Sequence, residues 1–135
     1  MKTKQISEYL NKFQIKSSIQ RIAIMDYLMT HHTHPTVDEI YNSLSDTIPT
    51  LSKTTIYNTL KLFYDCGAVL MLGIDEKNLR FDGNIEPHAH FRCKSCNRIF
   101  DIMNIKYNVD ISSDFEICET QIYYVGYCNE CKKKH

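Results

Sequence analysis

Two histidines, two cysteines and a carboxylate fall within one run of this chain, His88-Ala-His90-Phe-Arg-Cys93-Lys-Ser-Cys96-Asn-Arg-Ile-Phe-Asp101. A second Cys-x-x-Cys, Cys128 and Cys131, follows after 31 intervening residues. A Cys-x-x-Cys turn brings two thiolates onto one edge of a tetrahedron, and two such turns close it. Soft thiolates in closed four-coordination suit zinc. The spacing therefore predicts a structural zinc on Cys93, Cys96, Cys128 and Cys131, against the alternative of two redox dithiols.

His88, His90 and Asp101 do not fit that filled site. On a strand, residues i and i+2 share a side, so His88 and His90 present their rings together. Asp101 follows the strand beyond the first cysteine turn and can return to the same neighbourhood. Two imidazoles and a carboxylate form a borderline-to-hard ligand field, suited to Fe2+, Mn2+, Zn2+ or Co2+ rather than Cu+. The competing reading is a hydrogen-bonded surface pair of histidines.

The elements that must position these groups can be read from periodicity. Ile6, Tyr9, Leu10 and Phe13 make one face of a short helix over 4–13. Ser17 or Ser18 can cap a second helix running to about Thr30, with Ile24, Tyr27 and Leu28 inward. Pro35 breaks the chain after His31-His32-Thr33-His34. Thr36-Val-Asp-Glu39 is a capping box, and the helix after it buries Val37, Ile40, Tyr41 and Leu44. Ser52 caps a fourth helix over 53–65, with Ile56, Leu60 and Phe63 inward and Gly67 at its C′ position. Its outward face is Thr54, Thr55, Tyr57, Asn58 and Lys61. Strand-like runs at 68–72 and 78–81 read as a hairpin. Helices followed by a two-stranded hairpin are the order of a winged helix.

Asp82-Gly-Asn-Ile-Glu-Pro87 is rich in chain breakers. It divides the chain into a first domain over 1–82, a hinge over 83–87 and a second domain over 88–135. In the second, 90–92, 99–102, about 115–118 and 121–127 read as strands, and 104–114 as a short helix.

Composition narrows the setting. Lys and Arg balance Asp and Glu at 16 each, so net charge names no acidic partner. Charge is segregated locally, however. Residues 1–21 carry Lys2, Lys4, Lys12, Lys16 and Arg21 against Glu8, while 22–52 carry no Lys or Arg. No apolar run approaches the ~18 residues of a membrane span, and the N-terminus has no apolar leader. The expectation is a cytoplasmic protein without membrane contact, where paired cysteines are more often metal ligands than disulfides. The remaining cysteines, Cys66 and Cys118, read as small buried apolar residues.

Taken in order, His34-Pro-Thr-Val-Asp-Glu-Ile-Tyr41, Ser52-Lys-Thr-Thr-Ile-Tyr57-Asn-Thr-Leu60, Arg80-Phe-Asp82, His88-x-His90, Cys93-x-x-Cys96, Asp101 and Cys128-x-x-Cys131 resemble the ferric uptake regulator (Fur) superfamily. The resemblance covers residues 5–131. It implies a homodimeric, metal-dependent repressor that binds double-stranded operator DNA. The implied fold is α+β: an N-terminal winged helix, then a small α/β dimerisation domain with a four-cysteine zinc site. It implies that the fourth helix reads the major groove through Tyr57, with Thr54, Thr55, Asn58 and Lys61 beside it and Arg21 as a basic position. It implies a regulatory Fe2+ or Mn2+ site on His34, Asp82, His88, His90 and Asp101.

Within the family, a zinc sensor would carry cysteine where Asp82 stands. Iron-uptake members usually carry glutamate where Asp101 stands, so the aspartate resembles the peroxide-sensing members. In those, bound Fe2+ reacts with hydrogen peroxide and oxidises the histidines matching His34 or His88. Iron-uptake control is the alternative. Three features depart from the family: a short segment between Asp101 and Cys128, no histidine between His90 and His135, and Ser18-Ile19 in place of threonine-proline.

Two readings of another class compete. One is a metalloenzyme with an open site on His88, His90 and Asp101. The other is a zinc-ribbon module that binds protein. The Thr/Tyr/Asn face of 53–61 has no task in either.

Overall fold

A computed structural model of the chain describes residues 2–134. The chain divides between Ile85 and Glu86 into two compact units.

The first unit holds α1 (Lys2–Lys12), α2 (Ile19–Thr30), α3 (Val37–Leu44) and α4 (Lys53–Asp65), then β1 (Leu70–Leu72) and β2 (Arg80–Asp82). The helices start where hydroxyl side chains can take orphan amides. Ser18 accepts from Arg21 N, Thr36 from Glu39 N and Ser52 from Thr55 N. The end of α4 is a Schellman turn. Gly67 adopts φ +85°, its N–H bonds Tyr64 O, and Ala68 N–H bonds Phe63 O. β1 and β2 pair antiparallel with Met71 opposite Phe81, completing the winged-helix order.

The apolar faces meet in one core. Leu10, Ile24, Met25, Leu28, Ile40, Ile56, Leu60, Phe63 and Phe81 are all essentially inaccessible. Each contributes about 1.5–3 kcal/mol of burial. Of the α3 residues expected inside, Ile40 is fully buried, while Val37, Tyr41 and Leu44 are half-buried against the same core.

The second unit is one three-stranded sheet, order β4-β3-β5, from β3 (Ala89–Cys93), β4 (Ile99–Ile102) and β5 (Tyr123–Gly126). β3 and β4 run antiparallel with His90 opposite Asp101, and β3 and β5 run parallel with His90 opposite Tyr123. Its buried residues are His88, Ala89, His90, Cys93, Ile99 and Cys128. Few are apolar side chains of any size.

Two expected elements are absent. The short helix over 104–114 and the strand over 115–118 do not form; residues 103–122 hold no regular helix or strand. The apolar residues of 105–111 alternate with polar ones, so they define no helical stripe. Phe115–Cys118 joins neither sheet, although β4 and β5 are edge strands. Cys66 and Cys118, expected to be buried, are both exposed. Cys66 caps the C-terminus of α4, and Cys118 lies in the irregular stretch. No described helix is long and apolar enough to cross a membrane.

Candidate metal centres and nucleic-acid face

The four cysteines of the two turns converge. Their sulfur atoms all lie within 4.8 Å of one another, and no disulfide joins them. β3 delivers Cys93 into a tight turn, closed by Asn97 N–H on Cys93 O at 2.9 Å, with Asn97 at φ +61°. The parallel β3–β5 pairing brings the second turn alongside, and Lys94 N–H bonds Gly126 O at 2.7 Å. Backbone amides then point at sulfur: Cys96 N and Cys128 N lie 3.5 and 3.4 Å from Cys93 Sγ.

Those amides tune the thiols. Burial pushes the Cys93 thiol up, but the N–H groups of Cys96, Cys128 and Ser95 outweigh it and bring it down to about 6. Cys128 is lowered chiefly by the Cys131 N–H. The Ser95 hydroxyl favours the Cys131 thiolate, but Cys128 and burial outweigh it and push that thiol up to about 11. The neighbouring sulfurs thus hold Cys131 protonated while Cys93 and Cys128 ionise more readily, an imbalance that a cation placed among them removes. The donor set, four sulfurs on two turns, fits zinc in closed tetrahedral coordination.

Arg98 is a group that the spacing of ligands did not reveal. Its Nε lies 3.3 Å from Cys96 Sγ, and a terminal nitrogen lies 3.5 Å from Cys128 Sγ and 3.1 Å from Glu130. The thiols of Cys96 and Cys128 hold its guanidinium charged. Four thiolates around a divalent ion leave excess negative charge, and Arg98 offsets it. A basic residue two places after the second cysteine was the available signal.

The imidazole and carboxylate groups are arranged within each unit. In the second, the register that sets His90 opposite Asp101 places His90 Nε2 3.4 Å from Asp101 Oδ1. His88 Nε2 lies 3.1 Å from the same oxygen, and the two rings are 4.3 Å apart. His88 Nδ1–H donates to Glu86 O at 2.6 Å. That bond fixes the tautomer and leaves the Nε2 lone pair for a metal.

In the first unit, His34 Nε2 lies 3.4 Å from Asp82 Oδ2, and both side chains are buried. The other Asp82 oxygen accepts from Asn84 N–H at 2.9 Å. His34 sits at φ +58°, where non-glycine residues are uncommon, so its surroundings must hold it. β2 does so. Arg80 donates to His34 O at 3.2 Å, and Phe81 N–H donates to Pro35 O at 3.0 Å. Arg80 is itself fixed by Asp75, 3.0 Å from its Nε. Sequence reading missed this pair, because its contact with His34 spans 46 residues. Each half offers nitrogen and oxygen donors suited to Fe2+, Mn2+, Zn2+ or Co2+.

On α4, Thr54, Tyr57, Asn58 and Lys61 are exposed, while Thr55 is half-buried. Two of these already have work. Thr55 Oγ1 accepts from Ser52 Oγ at 2.9 Å within the N-cap. Lys61 Nζ bonds both Asp65 oxygens, at 2.9 and 3.0 Å, and Asp65 raises its pKa. Arg21 bends back to donate to Lys16 O at 2.8 Å. One guanidinium has further donors to offer.

The model of the ferric uptake regulator family matches residues 12–125. The chain belongs to the ferric uptake regulator family. Members of this family are transcription regulators rather than enzymes, so the metalloenzyme alternative falls. Within the family, the peroxide-responsive repressor PerR of Staphylococcus epidermidis is 37% identical over 130 residues, covering 93% of this chain and 87% of that protein. PerR of Staphylococcus aureus strain Mu50 is 38% identical, covering 93% and 88%. Among solved structures, PerR from Streptococcus pyogenes aligns with a TM-score of 0.55 at 27% identity, covering 96% of this chain and 92% of that one. The Helicobacter pylori ferric uptake regulator aligns with a TM-score of 0.71 at 18% identity, covering 96% and 93%, and shares the fold.

Proposed function

We propose that this chain is a homodimeric, metal-dependent repressor that binds operator DNA and responds to hydrogen peroxide. The carrying observation is that Asp101, opposite His90, completes a His/Asp donor set in a chain whose relatives include peroxide-responsive repressors. The regulatory ligands in this reading are His34, Asp82, His88, His90 and Asp101. Cys93, Cys96, Cys128 and Cys131 hold a structural zinc.

Bound Fe2+ would supply the one-electron chemistry that activates peroxide, which Mn2+ would not. The protein's own groups do the rest. Glu86 O keeps the His88 Nε2 lone pair available, and Asn84 N–H orients the Asp82 carboxylate. Arg80 holds His34 in its unusual backbone conformation. Ligands drawn from both units make metal affinity depend on their arrangement, and a ligand shifts such an equilibrium only by that differential affinity. Tyr57, with Thr54, Thr55 and Asn58, would read base edges, while Arg21 and Lys61 contact phosphates. To do so, Lys61 must leave Asp65 for a phosphate.

Fluorescence anisotropy at fixed salt tests this, on a duplex selected from a random pool. Mn2+ or Fe2+ should tighten binding and a chelator should reverse it. Tyr57→Ala should cost ~1–3 kcal/mol, the usual worth of one base-pair contact. Binding that ignores metal would overturn the reading.

A further inference from the structure

We propose that Arg98 shields the exposed edge of the four-cysteine site from peroxide by donating to Cys96 and Cys128 at once. The proposal rests on the structural zinc read above and says how that site withstands the oxidant a peroxide sensor meets.

The four sulfurs are not equally covered. Cys93 is buried, and the N–H groups of Cys96 and Cys128 are aimed at its sulfur. Cys96 is exposed. Cys128 is buried as a residue, yet it lines a cleft of about 430 Å3 whose other walls include Phe91, Phe100 and Ile102. A water takes roughly 30 Å3 of liquid volume, so the cleft admits a molecule the size of hydrogen peroxide. Cys96 Sγ and Cys128 Sγ are 3.9 Å apart.

That pair is set up for an unwanted reaction. The Cys96 thiolate attacks one peroxide oxygen, breaks the O–O bond and leaves a sulfenic acid and one hydroxide. The Cys128 thiolate then attacks the oxidised sulfur, forms a disulfide and expels a second hydroxide. The two sulfurs give up two electrons, peroxide takes both, and the site loses two of its four donors.

Arg98 sits on this pair. Its Nε–H donates to Cys96 Sγ at 3.3 Å, and one terminal nitrogen donates to Cys128 Sγ at 3.5 Å. The same nitrogen bonds Glu130 at 3.1 Å, and the guanidinium lies 5.3 Å from the centre of the Phe100 ring. Arg98 and Glu130 also line the cleft, so the fork stands beside the route to Cys128. A cation beside a free thiol makes it more reactive by raising its thiolate fraction. Thiols that hold a metal are already deprotonated, which removes that effect. The opposing effect remains: a donor that draws electron density from sulfur weakens it as a nucleophile. Arg98 is thus a positioning residue whose planar fork spans both turns, a geometry that lysine lacks.

Two rates on the zinc-bearing full chain, with no iron added, test this. The first is loss of free Cys96 and Cys128 thiol under hydrogen peroxide, read by alkylation after denaturation and peptide mass spectrometry. The second is zinc loss to a chelator without oxidant. Arg98→Leu should speed the first about tenfold, as expected for a group that supports metal ligands, and leave the second within about threefold. Arg98→Lys keeps the charge but not the fork, and should speed oxidation about threefold. Unchanged oxidation in Arg98→Leu, or full protection by Arg98→Lys, would overturn the proposal. So would equal acceleration of both rates, which would make Arg98 a structural clip between the turns. A parent chain that purifies without zinc would instead overturn the zinc reading, and this proposal with it.

Discussion

The two units are held together by different physics. The first buries a cluster of large aliphatic and aromatic side chains from four helices and a ribbon. The second buries two histidines, two cysteines, an alanine and an isoleucine. A segment of that size rarely supplies enough hydrophobic stabilisation by itself, and a metal is a usual staple. In the second unit, the side chains that fill the interior are therefore candidate ligands, so folding and metal binding become one equilibrium. The first unit needs no such help, and its share of the proposed metal site is a local device: one histidine at positive φ clamped by β2.

The largest expected effect breaks that contrast at the zinc. Cys96→Ser should unfold the second unit and leave the first unit's helices intact. Structural zinc is worth about 10–16 kcal/mol in small finger peptides. Residue-resolved amide exchange reads this directly, as loss of protection in β3–β5 with retention in α1–α4. A second unit that stays protected would show that its sheet stands without the four-thiolate site.

A smaller effect probes the clamp. Arg80→Lys keeps a cation beside Asp75 but loses the planar fork that also reaches His34 O. Regulatory-metal affinity should fall about tenfold, in the range expected when a group orienting a ligand is removed. Zinc content and melting temperature should stay near wild type. Equal loss of stability and affinity would reduce Arg80 to a packing residue.

The smallest concerns the first unit's chain geometry. Gly67 stands at φ +85° with nothing within 4 Å of an added Cβ. Gly67→Ala therefore incurs only the left-handed backbone penalty, ~1 kcal/mol. Denaturation of the first unit should register it while metal binding does not.

Local rules exposed much of this in the sequence. Hydroxyl caps and 3.6-residue periodicity located the helices, since Ser18, Thr36 and Ser52 each take an amide three residues on. Cysteine spacing anticipated the convergence of the two turns because two rigid elements suffice to produce it. What stayed hidden depends on distant or missing partners. The Arg80–Asp75 support of His34 links loop to strand across the whole of α3 and α4. The stretch 103–122 was read largely as helix and strand, yet most of its apolar side chains, from Tyr107 to Ile117, lie exposed and form no regular element. Cys66 and Cys118 looked buried by residue type alone, whereas a helix end and an irregular segment expose them.

The central claim is that His34 and His88 belong to a peroxide-responsive metal site. Peptide mass spectrometry after brief hydrogen peroxide treatment, on Fe2+-loaded and Mn2+-loaded protein in parallel, tests it most directly. The account predicts one added oxygen on the His34 or His88 peptide of the Fe2+ form, release of DNA, and an unmodified Mn2+ form. Unmodified histidines with DNA still bound in the Fe2+ form would contradict it and point to control of iron uptake.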